Sequence, residues 1–327
     1  MLTEYSIINI LLFIVVVFVA LFIDLYSHKK DEPISFRNAA AWSIFWVTIS
    51  FIFAGYIGLT HGADKSSLFI SGYLLEKSLS VDNLFVFMAI FASFGIKDYA
   101  QHRILYFGIL GALIFRLLFI AAGTSFLLLF GKWALGFFGI FVLWSAWKMY
   151  QQGSEDNEEI VDYTNHWSVR MTKKIFRVHP YREGHCFFTT IDTKTYCTPL
   201  FLCLAAIEIA DIMFAFDSVP AVIAITQEPF LVYTSNIFAI LGLRSMYFLL
   251  LAAKRYLCHL EKAVIGILVF IGIKMLVDVI GVYHLTPKVS LIVVSLLLTM
   301  GIIASLFFPE QEEEFEKVTV ENKSEVI

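Results

Sequence analysis

The sequence predicts an all-α polytopic membrane protein of about nine transmembrane helices, in which a three-helix unit (helices 3–5) recurs inverted (helices 6–8). Three observations carry that prediction. The 327 residues are 59% hydrophobic and 16% charged, where soluble domains sit nearer half apolar and a quarter charged. The apolar residues fall in runs long enough for helices that cross a bilayer. Two of those runs carry polar residues in matching order: Glu76, five residues, then Asp82 and Asn83; and Asp211, five residues, then Asp217 and Ser218.

In chain order, the runs place helices at about 6–26, 39–60, 66–95, 103–130 and 132–150. The second set follows at 199–226, 231–253, 263–283 and 288–308. The first run, Ile7 to Leu25, is too long for the core of a signal peptide and lacks a small-residue cleavage site after it, so it reads as a span. Residues 1–150 thus hold five helices, 151–198 a polar connection, 199–308 four helices, and 309–327 an acidic tail read as a solvated end. Within the connection, HCFFTTIDTKTYCT alternates well enough to predict a short hairpin around Asp192–Lys194. Cys186, Cys197, Cys203 and Cys258 form no CxxC motif, which argues against a disulfide framework and against a thiolate metal site.

Basic residues sort by side. Lys29, Lys30, Arg37, Lys97, Arg103, Lys148, Lys174, Arg177, Lys254, Arg255 and Lys262 fall at one side, and Lys65, Lys132 and Lys288 at the other. The rich side is expected in the cytoplasm, with the N-terminus outside (periplasmic) and the C-terminus inside.

The two halves match in three places in the same order: the polar pattern, FGILG from Phe107 against FAILG from Phe238, and Lys148-Met149 against Lys274-Met275. Three helices per unit is an odd number, so the second copy enters the membrane from the opposite side. Many secondary transporters have that arrangement, with the binding site where the repeats meet.

Charge inside an apolar run costs at least ~2.5–3.5 kcal/mol at mid-membrane and marks an ion or proton path. Glu76 and Asn83, seven residues apart, share one helix face, as do Asp211 and Ser218, while Asp82 and Asp217 stand beside those faces. Glu208 adjoins Asp211, and Pro220 leaves the carbonyl of Phe216 free as a further oxygen. Against the five acids Glu76, Asp82, Glu208, Asp211 and Asp217 stand Lys77, Arg116 and Arg244 as supporting charge; Lys274 is expected to pair with Asp278. Carboxylates in excess at low dielectric must bind protons or a metal ion, and alternation between the two is what proton-coupled cation exchange requires. Carboxylate, amide, hydroxyl and backbone oxygens suit Mg, Ca and Mn alike. The blander alternatives are structural pairs, Glu76 with Lys77 and Glu208 with Arg244, and for the 33 Phe simple packing bulk. No nucleophile–base pair or organic-cofactor motif marks an enzyme, and nothing in the pattern points to nucleic acid.

The segments EKSLSVDNLFVF and EIADIMFAFDSVPAV, with IFAILGLRSMYFLL from Ile237, resemble the TerC family of integral membrane proteins over roughly residues 6–308. Members of that family are labelled for tellurium resistance and as redox modulators. The resemblance implies multi-pass residence in the inner membrane, among lipid, and export of Mn²⁺ as transported substrate within a wider group of lysine-exporter-like transporters. Asp82, Asn83, Asp217 and Ser218 would then bind the ion, and Glu76, Glu208 and Asp211 would complete the site or carry protons. The competing expectation is a non-transporting membrane partner in stress or redox response or in membrane-protein insertion, working through the 151–198 loop.

Overall fold

The computed structural model describes residues 7–27, 36–96, 99–152, 167–178, 186–191, 194–253, 260–281 and 285–307. The apolar runs form α1 (Ile7–Ser27), α2 (Phe36–His61), α3 (Ala63–Ser93), α4 (Tyr99–Phe130) and α5 (Lys132–Gln152). After a short α6 (Trp167–Ile175) and two strands, β1 (Phe188–Ile191) and β2 (Lys194–Cys197), come α7 (Pro199–Thr226), α8 (Pro229–Ile240), α9 (Leu243–Ala253), α10 (Leu260–Ile280) and α11 (Pro287–Phe307). With α8 and α9 taken as one and α6 set aside, these coincide with the predicted helices. Among the described residues, α2, α4, α7, α10 and α11 have the length and hydropathy of a span, and α8 with α9 makes a sixth. α3 is long enough at 31 residues, but its interior charges set it apart from an ordinary lipid-facing helix. The chain is a multi-pass integral membrane protein: Ile52, Leu59, Leu129, Ile280 and Phe307 point outward on four different helices, as lipid contact demands and water would not tolerate.

The hairpin forms where the alternation predicts it, antiparallel with Phe188 opposite Cys197 and Ile191 opposite Lys194. Its turn at 192–193, the acidic tail, and Lys29, Lys30, Lys97, Lys254, Arg255 and Cys258 lie outside the described residues. α6 was not legible. At nine residues it has too little propensity to form alone, and it stands because Val169 and Thr172, one turn apart, are buried while the helix lies on α7.

Two glycine-mediated seams set the helix directions. Along α4, Gly108 lies against Ile207, Gly111 against Glu208 and Gly123 against Ile223, so α4 and α7 run parallel. Between α5 and α10 the order reverses: Gly136 meets Val279, while Gly139 meets Met275 and Leu276. That seam is two-fold in character. A Cβ on Gly139 would lie 3.2 Å from Leu276 Cδ2 and 3.3 Å from the carbonyl of Gly272, and one on Gly272 2.6 Å from Leu143 Cγ and 3.1 Å from the carbonyl of Gly139. At one end of the bundle the starts of α3, α8 and α11 gather, joined by Lys65–Glu228 at 3.3 Å and Lys288–Asp64 at 3.7 Å. The hairpin sits at the starts of α4 and α7, where Arg103 lies over the Phe187 ring at 5.1 Å and Phe188 packs on Phe201.

The predicted helix 231–253 is broken. α8 and α9 meet at 44°, with Gly242 at φ +80°. A Cβ there would collide with the Trp46 side chain on α2, so only glycine permits both the left-handed turn and the close approach. Periodicity misses such a break because the runs on either side stay apolar.

Candidate functional site

Four helices build one buried polar cluster. Gly72 lets α8 come close to α3: a Cβ there would meet Ser235 Oγ at 2.9 Å. One turn further along α3, Glu76 is wholly buried and its Oε2 accepts a hydrogen bond from Asn236 Nδ2 at 3.2 Å. Arg116 enters from α4, 1% exposed. Its Nη1 forms an ion pair with Glu76 Oε1, donates to Asn236 Oδ1 at 2.9 Å, and reaches Ser218 Oγ on α7 at 3.4 Å. Its Nη2 stands 3.6 Å from Asp211 Oδ1. Asp211 and Ser218 therefore point at one guanidinium from two turns of one face, as their seven-residue spacing predicts.

The cluster is only partly satisfied. Arg116 Nε and Nη2, Asp211 Oδ2 and Glu208 Oε2 are buried without a hydrogen-bond partner among the described residues. Glu208, three residues before Asp211 on α7, lays its carboxylate on the bare backbone of Gly111, where any Cβ would collide with it. Three acids (Glu76, Glu208, Asp211) against one guanidinium leave two formal negative charges, in a setting where buried polar groups ordinarily have partners.

The structure thus brings together Glu76, Arg116, Asp211 and Ser218, with Glu208 alongside. Asn83 is buried two turns further along α3, with no hydrogen bond to the cluster among the described residues. The side chains of Asp82 and Asp217 lie outside the described residues; their helices, α3 and α7, pack against each other. Among the described residues no three His, Cys, Asp or Glu side chains converge as a ready metal cage.

Both structural-pair alternatives are corrected. Glu76 pairs with Arg116 and Asn236, and not with Lys77, because neighbours on a helix point about 100° apart. Lys77 instead donates from Nζ to the carbonyls of Ala239 at 3.1 Å and Leu241 at 3.5 Å. It places positive charge where α8 ends and its dipole is negative. No ion pair joins Glu208 to Arg244 among the described residues; Arg244 is buried on α9, on the far side of the break. Lys274 is buried on α10, where Asp278, one turn further on, acts on it electrostatically. Asn236 is the member that sequence reasoning missed. Its signal was the triplet Thr234-Ser235-Asn236 inside an apolar run, all three now wholly buried.

Comparisons with known proteins bear on the multi-pass membrane fold. The family model described as "Integral membrane protein TerC family" matches residues 61–313. The chain is 46% identical to a tellurium resistance protein TerC of Serratia marcescens, over 94% of this chain and 96% of the relative. It is 40% identical to an uncharacterized membrane protein of Myxococcus xanthus, over 90% of each chain. It is also 40% identical to an Alx protein of Salmonella typhi, named as a candidate membrane-bound redox modulator, over 92% of this chain and 95% of the relative. No solved structure matches the chain.

Proposed function

The chain belongs to the TerC family of integral membrane proteins, and from that premise we propose that it exports a divalent cation, Mn²⁺, across the inner membrane in exchange for protons. The observation that carries this reading is the convergence of acids from both halves of the chain on one site: buried Glu76 from α3, and buried Asp211 with half-buried Glu208 from α7. Such a site attracts cations. The relatives' name therefore describes, in our reading, an outcome for the cell and not the ion carried.

In this reading Asp82, Asn83, Asp217 and Ser218 hold the ion, and Glu76, Glu208 and Asp211 complete its shell or take up protons when it leaves. The oxygens are those that hard divalent ions prefer. The two-fold seam of Gly139 and Gly272, the parallel run of α4 with α7, and the pairing of α3 with α8 support an inverted repeat with the site at its centre. The gathering of Lys65 and Lys288 at one end, opposite Arg103 and the hairpin, supports a periplasmic N-terminus and a cytoplasmic C-terminus.

The test is manganese flux in membrane vesicles of known orientation, with and without an imposed proton gradient. Accumulation in inverted vesicles is expected. No flux of manganese with or without the gradient would discard the substrate; flux of another divalent ion would keep the site and change its cargo. A non-transporting role would show as no ion flux at all, with a cellular phenotype lost on deleting 151–198.

One substitution follows from the Glu208 cradle. Gly111→Ala must push the carboxylate off the α4 backbone. It is expected to lower ion affinity about tenfold, or ~1.4 kcal/mol, with little loss of thermal stability, since Ala favours helix over Gly. Titration of Mn²⁺ on the solubilised protein checks this. An unchanged affinity would take Glu208 out of the site.

A further inference from the structure

We infer that Arg116 is a built-in counter-cation: its guanidinium engages the oxygens proposed for the ion and must withdraw for a divalent ion to bind. The inference rests on the proposed function and adds to it a gate and a reason for charge selectivity. Its basis is geometric. The guanidinium is held by Glu76, Asn236, Ser218 and Asp211, from three helices belonging to both halves of the chain. Three of those four are residues expected to serve the ion. A metal ion needs such oxygens at about 2.0–2.6 Å, whereas a guanidinium holds them near 2.7–2.9 Å on the nitrogen side. The two cannot share one oxygen set.

The same atoms argue against a purely structural pair. A buried Arg kept for stability has its donors satisfied. Here Nε and Nη2 lack hydrogen-bond partners among the described residues, as do Asp211 Oδ2 and Glu208 Oε2. The site holds one positive charge where its acids would bind more. Exchange of Arg116 for a monovalent ion leaves the local charge unchanged, whereas exchange for a divalent ion adds one unit. The device therefore favours divalent cargo. It also weakens the apparent affinity by the fraction of time the guanidinium holds the site, which lets the ion leave once the opposite face opens.

The test is equilibrium binding of Mn²⁺ to the full chain in detergent, paired with vesicle flux. Arg116→Gln removes the competitor and is expected to lower the half-saturating Mn²⁺ concentration about tenfold or more, the factor for a competitor present nine-tenths of the time, while transport slows because release is impaired. Arg116→Lys guards against a misfolded Gln variant: its single ammonium reaches fewer of the four partners, so its affinity should fall between wild type and Arg116→Gln. A folded Arg116→Gln protein, or an Arg116→Lys protein, that binds Mn²⁺ no better than wild type would overturn the inference and leave the proposed function standing. A wild-type protein that neither binds nor carries Mn²⁺ would overturn both.

Discussion

Glu76→Gln is expected to destabilise the protein by about 3–5 kcal/mol, the range for breaking a buried ion pair by removing one partner. The physical reason is the charge left behind. Glu76 is wholly buried, and its carboxylate is the nearest counter-charge to a guanidinium that is 1% exposed. Gln keeps the shape and can still meet Asn236, but it leaves Asp211, at 3.6 Å, as the one remaining ion-pair partner of Arg116 among the described residues. The double variant Glu76→Gln/Arg116→Gln removes both charges and should recover about 1 kcal/mol or more relative to the sum of the single changes, as coupled neighbours do. Thermal unfolding of the four proteins in one detergent forms the cycle. Additive losses would mean that the pair contributes nothing of its own. The partly exposed Lys65–Glu228 pair serves as the contrast: breaking it should cost under about 1 kcal/mol.

How much of this was legible depended on whether the signal was local. Helix positions were, because a bilayer demands long apolar runs and the chain shows them. The shared face of Asp211 and Ser218 was legible because helix geometry is fixed once the helix is granted. The hairpin was legible from its alternation. The partner of Glu76 was not: Lys77 lies next to it in sequence and Arg116 forty residues away, and only the packing of α4 against α7 and α8 brings the guanidinium over. The break at Leu241–Gly242 was hidden for the same reason. Gly242 reads as one more small residue in a membrane helix, and what forces the turn is Trp46 from α2, with Lys77 supplying the charge that the freed helix end requires. Asn236 shows the intermediate case: a polar triplet in an apolar run announces a partner without saying which.

Asp82→Asn and Asp217→Asn are expected to abolish manganese export while leaving the protein in the membrane at normal abundance. Each change keeps side-chain size and one oxygen but removes a negative charge. Both positions lie in the interior of helices that pack together, α3 and α7. A charge at such depth is expensive to hold, so folding should tolerate its loss. Ion binding should not. Attraction between unit charges 4 Å apart is about 4 kcal/mol at an effective dielectric of 20, and it grows with ion charge. Even with part of that offset by easier desolvation, a fall of about hundredfold in affinity, ~2.7 kcal/mol, is the expected result. Cells overproducing the wild-type protein should hold less manganese and survive more of it outside; cells with either variant should behave as if empty. Phe216→Ala, next to Asp217 in sequence but turned outward at 53% exposure, should export normally and so control for damage to α7. If both Asn variants transport at the wild-type rate, the ion does not pass between these two aspartates, and the orphaned carboxylates of Glu208 and Asp211 become the place to look.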